Sequence, residues 1–408
     1  MSDAEKKRFL QIHPNDNVLV ALQDLYKGEA INWSGETIIL KDDIHAKHKF
    51  FITDLNLDGE ILMYGVLVGK ATVPVQQGAL MTTENVYHAS QEYAYRDVDY
   101  KWSSPDVSAF ESRTFNGYHR ENGKVGTANY WLFIPTVFCE NRNLDVIKEA
   151  LHNNLGYNVT DKYKQFTSQL LQAYKAGEAI ESFHPDQLGN SNPASNRVFK
   201  NVDGIKFLNH QGGCGGTRQD SAVLSSLLVS YADHPNVAGI TILSLGCQHL
   251  QTADFLRDLQ QRNPGFNKKV LVFEQQQSQS EDQLIKDAIL KTFEGLTEIN
   301  KIERSPAPLS KLTVGVKCGG SDGFSGISAN PAVGYTSDLL VALGAQVLLA
   351  EFPELCGAEQ NIIDRCISQP IAEKFIRLMR DYDAQAHAVG SGFHMNPSPG
   401  NIKDGLIT

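Results

Sequence analysis

The pattern of apolar and polar positions changes near Asn129. Before that point, residues 12–90 carry apolar runs of three or four residues, such as 38–40 and 61–64, between polar and glycine-containing turns. Short runs bounded by turn residues are typical of β-strands. We therefore predict a small β-rich module over residues 12–90, with one helix at 18–26 that is ended by a Lys-Gly pair.

After Asn129, apolar stretches of strand length alternate with amphipathic stretches of helix length. We predict strands at 130–137, 205–208, 237–245, 269–273, 312–316 and 346–350. Helices are predicted between and after them, at 143–154, 219–231, 248–261, 281–295, 333–343, 358–366 and 370–384. Strands separated by helices form parallel β-α-β units. The predicted fold class is therefore α/β, with a small β-rich N-terminal module followed by parallel-sheet α/β domains.

Two breaks in this pattern give the predicted domain boundaries. Residues 91–114 are polar and rich in aromatic side chains, and we interpret them as a linker that packs on the protein. An Arg-Ser-Pro-Ala-Pro stretch at 304–308 separates two strand–helix blocks. We therefore predict one α/β domain at 115–304 and a second at 305–408.

Composition limits the classes of function. The chain has 37 Lys and Arg residues against 47 Asp and Glu residues, so its net charge is −10. This charge argues against binding to nucleic acid or to an anionic membrane, and an anionic substrate would need a local positive site. No apolar run reaches the ~20 residues that span a bilayer, and the charged N-terminus has no signal-peptide core. We expect a cytoplasmic protein, and the sequence leaves open whether it forms a homo-oligomer.

The residues suited to chemistry lie at the predicted carboxyl ends of strands, where open parallel sheets bind ligands. These ends carry His210, Cys214, Cys247, His249, Lys317, Cys318, Glu351 and Glu354. Their regular placement predicts an enzyme. His210, His249 and Lys317 are the candidate bases, and the sequence does not say which group acts as base and which as acid.

Glycines surround the cysteine of the first of these loops. Gly213 and Gly215 flank Cys214 in Gln-Gly-Gly-Cys-Gly-Gly-Thr, between a predicted strand and a predicted helix. Glycines let a ligand approach backbone N–H groups at a helix start, so the loop suits an anion. The spacing fits neither a Walker motif nor a dinucleotide fingerprint. A plain strand-to-helix turn is the alternative interpretation.

Three Gly-Cys turns follow successive predicted strands. Cys214, Cys247 and Cys318 could hold a [4Fe–4S] cluster with one iron open to substrate. The alternative is that the three thiols only line a pocket, because the six cysteines contain no Cys-x-x-Cys pair or other local cluster motif. Glu351 and Glu354 are candidate metal ligands or acid–base groups.

Several motifs occur together in an order that resembles the altronate/galactarate dehydratase family. They are Gly-Tyr-His-Arg-Glu-Asn-Gly-Lys-Val-Gly-Thr with Arg120 and Lys124, Gly-Cys-Gly at Cys214, Leu-Gly-Cys at Cys247, Lys-Cys-Gly-Gly-Ser-Asp-Gly with Ser321 and Asp322, and Asn-Pro-Ser-Pro-Gly-Asn with Asn396, Ser398 and Asn401. Residues 12–90 resemble the SAF-type module that opens such proteins. The resemblance covers nearly the whole chain.

The resemblance implies a hydro-lyase that dehydrates a sugar acid such as D-altronate to a 2-keto-3-deoxy acid. It also implies dependence on a divalent metal, with Fe(II) or Mn(II) favoured. From the motifs and the resemblance, we expect substrate binding by Arg120, Lys124, Gly213, Gly215, Ser321, Asp322, Asn396, Ser398 and Asn401. Metal binding is expected from Cys214, Cys247, Cys318, His48, Glu351 and Glu354.

The chain also departs from the family pattern. Ala128 replaces the Arg that usually precedes Asn129, and Glu84 stands where a His before Asn85 is common, which weakens the expectation of a metal ligand in the module. The family continues past the Asn-Pro-Ser-Pro-Gly-Asn motif, so the second α/β domain is expected to be truncated. A galactarate dehydratase, a sulfo-lyase for a sulfonated hydroxy acid and a non-catalytic sugar-acid binding protein remain alternatives.

Overall fold

The chain forms two compact units. The computed structural model describes residues 7–158, 161–180, 197–317, 319 and 322–408. One unit combines Met1–Glu111 with Leu312–Thr408, and the other is Ser112–Lys311. Among the described residues, no helix is both long and apolar enough to cross a bilayer.

The first unit begins with short antiparallel strands. They are β1 (Phe9–Leu10), β2 (Val18–Ala21), β3 (Ala30–Trp33), β4 (Glu36–Ile39), β5 (Lys49–Phe51), β6 (Glu60–Met63), β7 (Val66–Ala71) and β8 (Val86–His88). They pair in the orders β1-β2-β5, β3-β4 and β6-β7-β8. The predicted helix at 18–26 is wrong. All four residues of β2 are buried, and its valines are β-branched, which favours a strand with both faces covered.

The second unit contains the parallel sheet. Its elements are β9 (Thr114–His119), β10 (Val125–Gly126), β11 (Tyr130–Pro135), α1 (Asn141–Leu155), α2 (Asp161–Ala176), β12 (Gly204–Phe207), α3 (Arg218–Asp233), β13 (Val237–Ser244), α4 (Thr252–Arg262), β14 (Lys269–Glu274), α5 (Glu281–Ile299) and β15 (Ser305–Pro308). Strands β12-β11-β13-β14 form the parallel sheet, and β10-β9-β15 form a separate antiparallel sheet. The helix α2 was not predicted from the sequence.

The parallel sheet has an apolar core on each face. On one face, Trp131 and Phe133 of β11 pack with apolar side chains of α1 and α5. On the other face, Leu132 and Ile134 pack with side chains of α3 and α4. Alternate residues of one strand therefore serve opposite cores, which explains the continuous apolar run of β11.

The remaining elements belong to the first unit. They are β16 (Thr313–Val316), α6 (Ala329–Ala342), β17 (Gln346–Leu349), α7 (Glu359–Asp364), α8 (Gln369–Ala388) and α9 (Pro399–Lys403). Strands β16 and β17 are parallel. Ile327 and Ile407 pack against the core of the β-rich module, beside Phe51 and Ile61. The module and the 312–408 segment thus share a core.

Candidate functional site

A cavity of about 560 Å³ lies in the first unit. Side chains from the β-rich module and from the 312–408 segment line it together. Its polar lining includes Tyr64, His88, Asp322, Asn330, Glu354, Cys356, Tyr382, Asn396 and Thr408. Of the residues expected from the sequence, Asp322, Glu354 and Asn396 contribute to this cavity. Its volume lies within the usual range for sites that bind small molecules.

The hydrogen bonds of His88 fix its tautomer. Its Nδ1 lies 2.7 Å from Oγ1 of Thr408, and that hydroxyl donates to the carbonyl oxygen of Val68 at 2.8 Å. Because a hydroxyl has one hydrogen, Thr408 accepts from His88, which therefore carries its proton on Nδ1. Burial lowers the pKa of His88, and the neighbouring His394 lowers it further. The imidazole is thus neutral near pH 7, with the lone pair on Nε2.

Two other ionisable groups of the cavity, Asp322 and Cys356, have shifted pKa values. Lys47 Nζ lies 2.6 Å from Oδ1 of Asp322, and this hydrogen bond lowers the pKa of the carboxyl group. Burial raises the pKa of Cys356 to about 12, and the nearby Glu359 contributes to the shift. Near neutral pH the cavity therefore presents a carboxylate at Asp322 and a protonated thiol at Cys356.

Other expected residues of this unit do not line the cavity. Lys317 and Glu351 form an ion pair with an N–O distance of 3.0 Å, and this pair raises the pKa of the lysine. Lys317 is therefore a cation in this arrangement, which is unfavourable for a base.

The imidazole Nδ1 of His48 lies 3.3 Å from the carbonyl oxygen of Ala46. Ser398 immediately precedes α9, and Asn401 lies within it. Cys318 and Ser321 lie outside the described residues.

The second unit brings another set of expected residues together at the carboxyl edge of its sheet. His210, Gly213, Cys214 and Gly215 follow β12, and Cys247 and His249 follow β13. The amide of His249 donates to the carbonyl oxygen of Gly213 at 3.0 Å, so the two loops are in contact. Cys214, Cys247 and His249 are exposed. This edge thus combines two accessible thiols with an accessible imidazole.

Both ring nitrogens of His210 are engaged within the second unit. Its Nε2 lies 2.7 Å from the carbonyl oxygen of Pro135, and its Nδ1 accepts from the amide of Gly212 at 3.1 Å. These bonds require the proton on Nε2 and occupy the lone pair on Nδ1. In this arrangement His210 holds the glycine-rich loop against the end of β11, and it has no free nitrogen for proton abstraction.

Arg120 and Lys124 lie at the opposite, amino-terminal edge of the sheet. Arg120 donates to the carbonyl oxygen of Pro235 at 2.8 Å, just before β13 begins. Lys124 Nζ lies 3.1 Å from Oδ2 of Asp233. The second unit therefore does not bring these two cations together with Cys214 and Cys247.

A divalent metal needs a compact set of ligands. Within the described part of the chain, no three His, Cys, Asp or Glu side chains are grouped closely enough to hold a metal ion. Cys318, one of the expected ligands, lies outside the described residues, so the divalent metal and the three-cysteine cluster both stay predictions.

Sequence reasoning missed most of the polar side chains of the cavity, among them Tyr64, His88 and Cys356. His88 is the last residue of β8, and its partner Thr408 is 320 positions away in the chain. No local motif connects two such positions. No local cysteine motif includes Cys356, and its half-buried thiol is protonated.

Three family models match the chain in order along its length. The altronate/galactarate dehydratase SAF domain matches residues 7–89. The second domain of D-galactarate dehydratase/altronate hydrolase matches residues 117–300. The C-terminal model of D-galactarate/altronate dehydratase matches residues 309–408. The prediction of an N-terminal SAF-type module is thus confirmed.

Curated relatives align with nearly the whole chain. Altronate dehydratase of Bacillus subtilis (strain 168) is 31% identical over 406 residues, covering 98% of this chain and 71% of the relative. Altronate dehydratase of Escherichia coli (strain K12) is 28% identical, with the same two coverages. Galactarate dehydratase (L-threo-forming) of the same organism is 27% identical, covering 98% and 69%.

These matches define the class of enzyme as a carbon–oxygen lyase of the hydro-lyase type. Within that class, the chain belongs to the altronate/galactarate dehydratase family.

Proposed function

We propose that this protein dehydrates a sugar acid such as D-altronate to a 2-keto-3-deoxy sugar acid by metal-assisted β-elimination. The observation that carries the proposal is the neutral imidazole of His88 in the cavity of the first unit, with Nε2 unprotonated. The identity to altronate dehydratases over 98% of the chain supports this choice of substrate class.

The proposed reaction removes the hydrogen at C2 and the hydroxyl group at C3. His88 Nε2 accepts the C2 proton, while Thr408 holds the Nδ1–H side of the ring and so keeps the accepting nitrogen fixed. The C3 hydroxyl takes up a proton from solvent and leaves as water, and His88 then releases the C2 proton to solvent. The enol product tautomerises to the 2-keto acid. His249 remains a second candidate base, because it is exposed at the carboxyl edge of the sheet.

A metal is part of the proposal because the C2 hydrogen beside a carboxylate is very weakly acidic. A divalent ion, with Fe(II) or Mn(II) favoured, would stabilise the negative charge that develops on the carboxylate when the proton leaves. The alternative is a [4Fe–4S] cluster at Cys214, Cys247 and Cys318. Anaerobically purified protein with such a cluster would be brown, whereas colourless active protein would argue against it.

The test is an assay of 2-keto-3-deoxy acid formation over a panel of hexonates, hexarates and sulfonated hydroxy acids. Activity on D-altronate supports the proposal. Activity only on galactarate, or release of sulfite from a sulfonated acid, would replace the substrate. If protein loaded with Fe(II) or Mn(II) binds sugar acids but does not convert them, the protein is a non-catalytic sugar-acid binding protein.

The role of His88 has its own test. His88→Gln should lower kcat by about two to four orders of magnitude, the usual contribution of a general base. His45→Gln is the matched control, because His45 lies in the same module and its side chain is 74% exposed. If both variants keep full activity, His88 is not the base, and His249 becomes the residue to replace.

A further inference from the structure

A second cavity, of about 420 Å³, lies in the Ser112–Lys311 unit. It is lined by residues at the amino-terminal edge of the parallel sheet, where Ala238 and Lys269 stand near the starts of β13 and β14. The glycine-cysteine loops are at the other end of the same strands. Arg120 and Lys268 line this cavity as well.

Among the described residues, Arg120 donates hydrogen bonds to neutral oxygens and to no carboxylate. Its guanidinium donates to the carbonyl oxygen of Pro235 at 2.8 Å, to that of Ala128 at 3.4 Å and to Oδ1 of Asn129 at 3.1 Å. In the described part of the chain, its Nη1 has no hydrogen-bond partner. A guanidinium remains charged in proteins. Arg120 therefore brings a half-buried positive charge to the cavity without a carboxylate partner.

Lys268, like Arg120, donates hydrogen bonds to neutral carbonyl oxygens. Its Nζ donates to the carbonyl oxygens of Ala232 at 2.9 Å and His234 at 2.7 Å, and it lies 5.6 Å from the centroid of the Phe266 ring. Among the described residues, one of its three N–H groups has no oxygen acceptor. Burial lowers the pKa of Lys268 to about 7, and the positive charges of Arg120 and Lys124 act in the same direction. The nearby Asp233 opposes this shift but does not cancel it.

The carboxylates around the cavity already have partners of their own. Glu298 pairs with Lys269 at 2.6 Å, and Asp233 pairs with Lys124 at 3.1 Å. Glu121 accepts a hydrogen bond from the side chain of Asn267. Local acidic groups therefore leave the positive charge of Arg120 and Lys268 only partly neutralised.

We propose that this cavity binds a small oxyanion, carboxylate or phosphate, between the guanidinium of Arg120 and the ammonium of Lys268. Arg120 offers a planar donor and Lys268 a point charge, and charged donors form the stronger hydrogen bonds with oxyanions. The chain as a whole carries a net charge of −10, so an anion is attracted by this local cluster and not by the overall charge. The proposal does not depend on the reaction proposed above.

Proton uptake accompanies binding. Because the pKa of Lys268 is near 7 in the free protein, a bound anion favours its protonated form and raises that pKa. Affinity for the anion should therefore weaken as the pH rises above about 7.

The experiment is a calorimetric titration of the full chain with sodium phosphate and, separately, with sodium D-gluconate, at constant ionic strength and at pH 6, 7, 8 and 9. Binding of phosphate alone identifies a phosphate site, and binding of both anions identifies a general carboxylate and phosphate site. We expect Lys268→Met to weaken binding at least tenfold. Lys291→Met is the matched control, since Lys291 is exposed on α5 and pairs with Glu294, and it should bind as the wild type does.

A second variant covers the case in which Lys268→Met does not fold. Lys268→Arg keeps the positive charge but does not lose its proton below pH 9, so it should bind the anion with an affinity that no longer falls above pH 7. Absence of binding by either anion to the wild type overturns the proposal. Equal affinity of the wild type and Lys268→Met does so too, as does an unchanged pH profile in Lys268→Arg.

Discussion

Replacing Gly213 by Ala would force the glycine-rich loop away from the end of β11. Gly213 has a φ of +94°, which disfavours a residue with a side chain. A methyl group on this residue would lie 2.2 Å from the carbonyl oxygen of Thr136 and 2.7 Å from the Cα atom of Val137. Both neighbours are backbone atoms, so neither can rotate out of the way.

The expected loss of stability in Gly213→Ala has two contributions. The positive φ costs an Ala residue roughly 1–2 kcal/mol, and overpacking against a rigid neighbour adds about 1–3 kcal/mol. A displaced loop would also lose two hydrogen bonds, from the amide of His249 to Gly213 and from the amide of Phe138 to Gly212, both 3.0 Å long. Gly215→Ala is the matched control, because Gly215 has a φ of +77° but no atom within 4 Å of the added methyl group.

The assay combines thermal unfolding with the rate at which a thiol reagent modifies Cys214, which is exposed between the two glycines. We expect Gly215→Ala to lower Tm by a few degrees, at about 2–4 °C per kcal/mol for a unit of this size. Gly213→Ala should lower Tm at least twice as far and change the rate of Cys214 modification. Equal effects of the two substitutions would show that the contact with Thr136 does not hold this loop.

Three further predictions concern stability and the metal. Glu140 is fully buried and burial raises its pKa, so the free energy of unfolding should fall as pH rises toward that raised value. Glu140→Gln should remove this fall in urea unfolding at pH 5, 7 and 9, and an unchanged dependence of the unfolding free energy on pH would contradict this. Gly295→Ala would place a methyl group 2.1 Å from Cη2 of Trp131, and should destabilise the protein by about 1–3 kcal/mol in thermal unfolding, despite the higher helix propensity of Ala. Chelation should abolish dehydratase activity, and Fe(II) or Mn(II) should restore it; full activity in metal-free enzyme would end the metal proposal.

The parallel sheet of the second unit was predictable from sequence because its pattern is strong. Strands β11 and β13 are apolar runs buried on both faces, and the helices α1 and α4 each have an apolar stripe. The glycine-cysteine loops then follow from the rule that parallel strands present their carboxyl ends at one edge. The contact between Gly213 and His249 shows that two of these loops do meet.

Other features could not be predicted in this way. The run at 18–21 has no helical or alternating period, because the strand β2 is covered on both faces, and a single sequence cannot distinguish it from a short helix. The engagement of both nitrogens of His210 depends on the positions of Pro135 and Gly212 in space. The sequence places His210 in the loop after β12, as the structure does, but it could not show that the Nδ1 lone pair accepts a hydrogen bond from the amide of Gly212.

The cavity of the first unit illustrates the same limit at long range, and it gives the SAF-type module a definite role. Lys49 Nζ donates to the carbonyl oxygen of Gly405 at 2.7 Å, and Thr408 fixes the tautomer of His88. Because Ile407 also packs on the core of the module, the segment at 405–408 is held against the module, and Leu406 and Thr408 of this segment line the cavity. The module is therefore a structural part of this cavity, and the protonation state of His88 depends on residues far away in the chain.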